Sequence, residues 1–308
     1  MVNTVPAIKA TPSPLASGIG GSVHTYRWRY QGQEFAIAYE TRGQGARVLL
    51  LPAFSTVSTR GEMRGLAERL APQFSVIALD WLGFGDSERP TIAYQPAVYH
   101  QLLHDFVNDV CDRSTAVIAA GHAAGYVTHT TDPDGQPLPW SQIVLIAPTW
   151  RGPLPSMMGK QQSWFGAVRQ TVGTPILGQT LYKLNTLPSF LRFMYQRHVY
   201  TNPRTLTPEL LEQKYQITQR PGARFAPAAF VTGSLDPVIN RIDFLSGLQA
   251  LSVPVLVVIG EQAPPHSKAE MEAMAALPGI QSQRLSGSLG MHEEYAPEVA
   301  NVVLPFLQ

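Results

Sequence analysis

The chain has 308 residues, 44% of them hydrophobic, enough to bury one large α/β domain with an inserted subdomain. With 15% charged residues and a formal net charge of +1, it has no electrostatic case for nucleic acid. The single cysteine, Cys111, excludes an internal disulfide and a cysteine-rich metal site, fits a reducing, cytoplasmic setting, and reads as a buried helix residue.

No run reaches membrane-spanning length, and the first 22 residues, rich in Pro, Gly, Ser and Thr, lack the apolar core of a signal peptide. Residues 23–30 and 34–41 alternate polar and apolar around Gln31-Gly32-Gln33, which predicts an antiparallel hairpin. Val48–Leu51 is a continuous apolar run suited to a strand buried on both faces. Pro52-Ala53-Phe54-Ser55 follows, then a helix opened by the pair Thr59 and Glu62, spaced as a capping box. Val76–Leu79 is the next buried strand. Asp80 at its end reads as a residue making structural bonds rather than as a nucleophile. A helix around 95–111 leads to the strand Ala116–Ala120, and Gln142–Ala147 predicts another strand.

Between Thr149 and about Leu251 the alternation stops. The stretch reads as helices only, one of them started by Thr207 with Pro208 at its first position. Residues 150–251 therefore predict a helical cap over a core formed by 1–149 and 252–308. Strands at Val255–Ile259 and Gln281–Leu285 flank a helix capped by Ser267 and Glu270. Gly290-Met291-His292 then precedes a closing helix. Buried strands alternating with helices argue for a doubly wound, mostly parallel α/β sheet, whose C-terminal edge is where such sheets bind ligands.

The sharpest feature is Gly121-His122-Ala123-Ala124-Gly125, directly after a buried strand and before a helix. Two glycines four apart suit a tight strand-to-helix turn, with Ala123 as the strained, exposed residue between them. His122 reads as a packing and hydrogen-bonding residue of that turn, and His266 as a loop residue. His100, His104 and His129 lack paired carboxylates at metal spacing, so no metal site is expected.

In the order of its parts the chain resembles the α/β-hydrolase superfamily. The residues that carry this are Leu49-Leu50-Leu51-Pro52-Ala53-Phe54, Asp80-Trp81-Leu82-Gly83-Phe84-Gly85-Asp86-Ser87, the Gly121–Gly125 turn, Val255-Leu256-Val257-Val258-Ile259-Gly260 and Gly290-Met291-His292. The wording of Pro52–Arg60 and of Ala263–Glu272 is similar to a cyanobacterial and plastid-related subgroup. The resemblance places the nucleophile at position 123, where serine would stand and alanine does. It makes the backbone N–H groups of Phe54 and Ala124 an oxyanion hole and His292 the general base. The usual acid position after Val255–Ile259 holds Ala263, so Glu261 is the nearest carboxylate, ahead of Asp236, Glu293 and Glu294. No cofactor is implied.

Cap residues Trp150, Met157, Trp164, Leu181, Phe190 and Met194 are expected to line an apolar substrate pocket, beyond what one helical layer needs for its own core. Arg192, Arg197 and His198 offer a possible peripheral membrane contact, set against a merely solvated face. Together these imply a hydrolase for a lipophilic carboxylic ester that works through a serine acyl-enzyme, inactive as it stands. A serine-to-alanine replacement at 123 would explain the otherwise intact frame. The rival readings are a natural non-catalytic ligand-binding protein and another chemistry of the fold, such as dehalogenation with aspartate at 123.

Overall fold

The computed structural model describes residues 18–111, 115–131, 135, 138–159 and 161–308. Residues 1–17, most of the segment read as lacking a signal peptide, lie outside them. Period-two alternation builds β1 (Ser22–Tyr30) and β2 (Gln33–Arg42), paired with Tyr30 opposite Gln33 and Trp28 opposite Phe35. Their turn residues both have positive φ, 49° at Gln31 and 78° at Gly32. That is the handedness a two-residue hairpin needs to follow the strand twist.

The apolar runs become β3 (Ala46–Leu51), β4 (Phe74–Leu79), β5 (Ala116–Ala120), β6 (Ile143–Ile146) and β7 (Val255–Gly260), followed by β8 (Ile280–Leu285). The eight strands form one sheet in the order β1-β2-β4-β3-β5-β6-β7-β8. β2 runs antiparallel to β1 and β4, and every other pairing is parallel. Every residue of β5, β6 and β7 is buried, which is why these strands read as unbroken apolar runs. The outermost strand, β8, exposes Gln281, Ser282, Gln283 and Arg284, a polar edge that discourages further pairing.

Helices α1 (Arg64–Leu70), α2 (Pro96–Val110) and α3 (Ala123–His129) follow β3, β4 and β5 in turn. Between β6 and β7 the described residues form helices only: α4 (Pro153–Met158), α5 (Phe165–Gly173), α6 (Leu177–Leu184), α7 (Pro188–Met194), a π-helical turn (Tyr195–Val199), α8 (Pro208–Thr218), α9 (Phe225–Val231) and α10 (Arg241–Gln249). The chain closes with α11 (Pro265–Ala275), α12 (Met291–Glu294) and α13 (Ala296–Leu307). Cys111, expected inside a helix, is half-buried one residue beyond α2.

Of three helix starts read from the sequence, one has the expected cap. Thr207 accepts the N–H of Leu210 at 3.2 Å at the start of α8. The Thr59–Glu62 box does not form. Residues Arg60–Met63 make a 3-10 turn joined to Thr59 only through the backbone, and the Glu62 carboxylate is drawn into a buried ion cluster instead. α11 starts ahead of Ser267, because Pro265 lacks an N–H to satisfy and its ring presets a helical φ.

A buried guanidinium fixes the loops that follow β3 and β4. Arg60 is 2% exposed and meets Glu40 at 2.8 Å, Asp86 at 2.9 Å, and Asp80. Asp80 also accepts the N–H of Arg60 and, at 2.7 Å, that of Asp86, the structural role expected of it. Burial pushes its carboxyl up to about 6, against the pull of Arg60. Arg60→Met should lower the unfolding free energy by about 3–5 kcal/mol, because Glu40 and Asp80 would stay buried without a counter-charge. Urea titrations should show that loss at pH 8 and a smaller one below pH 6, where Asp80 takes up a proton. An unchanged midpoint at pH 8 would contradict this account.

Candidate functional site

β3 and β5 lie side by side with Leu51 opposite Ala119, so the loops leaving their C-terminal ends meet. β5 stops at Ala120, Gly121 takes φ 51°, and α3 opens at Ala123. The left-handed residue of the turn is thus Gly121, whereas the sequence placed the strain at Ala123. Glycine pays no Cβ penalty there, so the turn settles on it. Ala123 is instead a fully buried helical residue. The N–H of Ala124, assigned to an oxyanion hole, donates to the Gly121 carbonyl at 3.2 Å and closes the turn.

Phe54, the other assigned donor, is buried with its ring stacked on Trp81 at 5.0 Å. It lies edge-on to Tyr99 at 5.1 Å, Phe84 at 5.3 Å and His122 at 5.6 Å. Phe230 of α9 faces it at 6.2 Å. The cap completes the cover through Leu235, whose carbonyl accepts the His122 Nε2–H at 2.8 Å and the Tyr126 hydroxyl at 2.6 Å. Pro237 sits so close to α3 that a Cβ on Gly125 would lie 2.4 Å from its ring. Rings and cap residues therefore pack around this turn.

Asp236 lies within the same cover. One oxygen, Oδ1, accepts the N–H of Gly152 at 2.7 Å and stands 3.7 Å from His122 Nε2. Burial pushes this carboxyl up to about 8 and the His122 imidazole down to about 4. At neutral pH the two are therefore an uncharged acid and an uncharged base.

His292 is buried on α12, with Nε2 3.5 Å from Glu62 Oε2. Glu62, from the turn after β3, rather than Glu261, is thus the carboxylate that faces His292, and it faces Nε2, while Nδ1 has no partner among the described residues. Glu261 sits exposed at the end of β7, and its carbonyl accepts Lys268 Nζ at 3.0 Å. The other carboxylates are committed as well. Glu294 accepts the N–H of Asn202 at 2.7 Å, and Glu293 lies 2.9 Å from Lys214 Nζ. Lys214 reaches down from α8, stands 3.4 Å from Glu62 Oε1, and lies over the Tyr195 ring at 5.8 Å. Burial pulls its pKa down, but Glu293, Tyr195 and Glu62 outweigh that and leave it well above the ordinary value. Burial raises Glu293, yet Lys214 carries it below the usual carboxylate range.

The ammonium therefore shares the carboxylate that faces His292. Two more bonds clasp this loop to the cap, Ser288 Oγ to the His198 carbonyl and the Gly290 N–H to the Val199 carbonyl, each 2.9 Å. The sequence itself carries a signal for Lys214. With Leu211 and Ile217 it falls at three-residue spacing on the inward stripe of α8, and all three are buried.

A cavity of about 180 Å³ opens where β6 leaves the sheet, lined by Thr149, Trp150, Arg151, Ser156, His266 and Glu270 among others. Of the six residues expected to hold substrate, only Trp150 borders it. Its indole N–H has no partner among the described residues, and the Arg151 guanidinium lies over its ring at 4.1 Å. Met157, Trp164 and Phe190 face solvent, while Leu181 and Met194 are half-buried. The apolar character of the first three lies on the outside of the cap. Among the described residues no group of His, Cys, Asp or Glu is placed to hold a metal ion.

A sequence profile of the alpha/beta hydrolase family matches residues 48–302. The chain belongs to the alpha/beta hydrolase family. A partial relative, an uncharacterized protein of Mycobacterium bovis, is 35% identical over 104 residues, covering 34% of this chain and 27% of the relative. The shared part is thus about a quarter of that protein's length. Among solved structures the hydrolase fold recurs in a bromoperoxidase from Bacillus anthracis, with TM-score 0.69, 16% identity, and 93% of this chain and 99% of that one covered. It recurs too in a haloalkane dehalogenase variant from Agrobacterium tumefaciens C58, with TM-score 0.68, 16% identity, and coverage of 94% and 98%. A probable hydrolytic enzyme from Pseudomonas aeruginosa PAO1 has TM-score 0.67 and 19% identity, with 94% of each chain covered. At these identities the likeness is one of fold.

The raised carboxyl of Asp236 makes a pH prediction for this hydrolase fold. The folded state holds its proton up to about pH 8, whereas the unfolded chain releases it near the ordinary carboxylate value. Between those points the folded state binds more protons, so this group's contribution to stability falls as pH rises. Asp236→Asn keeps an oxygen for Gly152 and removes that titration. In thermal unfolding the variant should therefore lose less stability than the parent between pH 5 and pH 8. Equal losses would show that Asp236 is ionised in the folded protein.

Proposed function

We propose that the protein is a non-catalytic, ligand-binding member of the alpha/beta hydrolase family. The observation that carries this reading is the chemistry of the strand-to-helix turn. The left-handed position is Gly121, the position matching the family's nucleophile is Ala123, and neither has a side-chain atom able to attack a substrate. The commitment of the Ala124 N–H to Gly121 and the packing of rings around Phe54 support it further. The candidate ligand site is the cavity beside Trp150 and Arg151. At about 180 Å³ it is smaller than drug-sized pockets, and its lining suits a molecule of a few heavy atoms that offers an acceptor or an anionic group.

A second reading, an esterase for lipophilic esters that lacks only its nucleophile, draws on one observation. His292, at the position of the family's base, keeps a buried carboxylate beside it in Glu62. The two readings separate on restoring serine. Losing a triad nucleophile costs on the order of 10⁶ in kcat, so a dormant esterase should regain most of that in Ala123→Ser or Gly121→Ser, with fluorophosphonate labelling abolished by His292→Ala. The binding reading expects no turnover of p-nitrophenyl esters from acetate to decanoate and no labelling by the parent or by either folded serine variant. It also expects small carboxylates to raise the parent's melting temperature, and Arg151→Met to remove that rise. Regained ester turnover would establish the second reading, and a panel of small carboxylates without any thermal effect would count against the assigned site.

A further inference from the structure

The charges of the chain are unevenly spread. From Gly135 to Pro208 there is no Asp or Glu, but seven Lys or Arg, which leaves 16 basic against 22 acidic residues elsewhere. This acid-free stretch begins before β6 and includes α4 through α7 and the π-helical turn. It also holds most of the large apolar side chains that face solvent. α6 buries Gly178 and Tyr182 and exposes Leu177, Thr180 and Leu184 at three- and four-residue spacing, with Ile176 ahead of it 85% exposed. α7 buries Leu191 and exposes Phe190 and Phe193, in step with Leu187 before it. α5, which packs on α6, is preceded by an exposed Trp164.

Single exposed apolar residues are ordinary, but a run of them on successive helices of a monomer marks a surface that meets something else. The charges say what. Lys183 is exposed beside Leu184, Arg192 lies between Leu191 and Phe193, and Arg197 is exposed just beyond α7. Among the described residues none of the three takes part in an ion pair. Short helices with leucine, phenylalanine and tryptophan outward, and lysine and arginine but no acid among them, suit the boundary between headgroups and acyl chains of a negatively charged bilayer. No helix among the described residues is long and apolar enough to cross a membrane, so the contact is peripheral.

We propose that the outer face of α5, α6 and α7 docks on an anionic lipid surface. The apolar side chains enter the interface while Lys183, Arg192 and Arg197 meet the headgroups. This holds whichever reading of the Gly121 turn is correct, since none of these side chains belongs to that turn.

The test is co-sedimentation of the full chain with vesicles of phosphatidylcholine alone and of phosphatidylcholine with about one third phosphatidylglycerol. Binding is expected to the anionic vesicles, at least about tenfold above the neutral ones, and to weaken as salt is raised through the Debye-screening range. Phe190→Ser with Phe193→Ser should abolish it, as should Lys183→Glu with Arg197→Glu, both with the melting temperature unchanged because all four residues are exposed. As a control, Ile239→Ser with Ile242→Ser removes two side chains that are more exposed than the phenylalanines, but outside the acid-free stretch, and should leave binding intact. Equal binding to both vesicle types, or to neither, overturns the proposal. So does a concentration-dependent dimer seen by light scattering and lost in the phenylalanine double variant, which would make a second copy of the chain the occupant of this face.

Discussion

The parallel pairing of β3 with β5 is the constraint on which the rest of this protein turns. It sets Leu51 beside Ala119 and so brings the two loops that follow into contact. A Cβ on Gly121 would lie 3.0 Å from that of Ala53, which favours a small residue in the crossing, and the required φ favours glycine. Once Gly121 takes the left-handed turn, α3 must open at Ala123, and the Ala124 N–H falls to the Gly121 carbonyl. Phe54, one residue beyond the contact, is left among Trp81, Tyr99 and Tyr126, where it fills space rather than opening it.

Two buried ion clusters then hold the surrounding loops, and they do different work. The Arg60 cluster is internal to the core and joins β2 to the loops after β3 and β4. The Lys214 cluster joins core to cap, because the lysine belongs to α8 while Glu62 lies in the 3-10 turn after β3 and Glu293 on α12 after β8. Buried ion pairs add little stability over well-packed apolar residues, but leaving one partner alone is costly. That asymmetry resists displacement of α8. The polar clasps from His198 and Val199 to Ser288 and Gly290 act in the same direction. The cap is thus fastened over the segment that carries His292.

The cap is apolar on two sides: Leu211, Phe230, Leu235 and Phe244 are buried inward, and other large apolar side chains face solvent. Its contacts with the core include an ammonium, carboxylates and backbone carbonyls, while several of its largest apolar side chains point away. Helical spacing alone does not reveal this. Leu177 and Leu184, or Phe190 and Phe193, have the periodicity of a face that packs against something, and the sequence does not say whether that something is the same chain. Exposure decides it, together with the absence of acidic residues across the segment.

What the sequence by itself determined is the sheet and its order of parts. Unbroken apolar runs mark strands covered on both faces, alternation marks the hairpin at the edge, and both signals are local because each strand's environment is written in its own residues. The helix start at Thr207 was legible because nothing competed for its capping side chain, whereas at Ser267 a proline two residues earlier opened the helix first. Where Glu62 could reach a buried lysine 152 residues away, the local signal for a cap was overridden. The site was legible in its positions and not in its pairings. Position 123 lacks a nucleophile in any conformation, and that follows from the residue alone. Which residue takes the left-handed turn, which carboxylate faces His292, and whether the cap's apolar side chains turn inward depend on contacts between segments remote in the chain. Such contacts exist only once β3, β5, β8 and α8 have been brought together, so only the tertiary structure decides them.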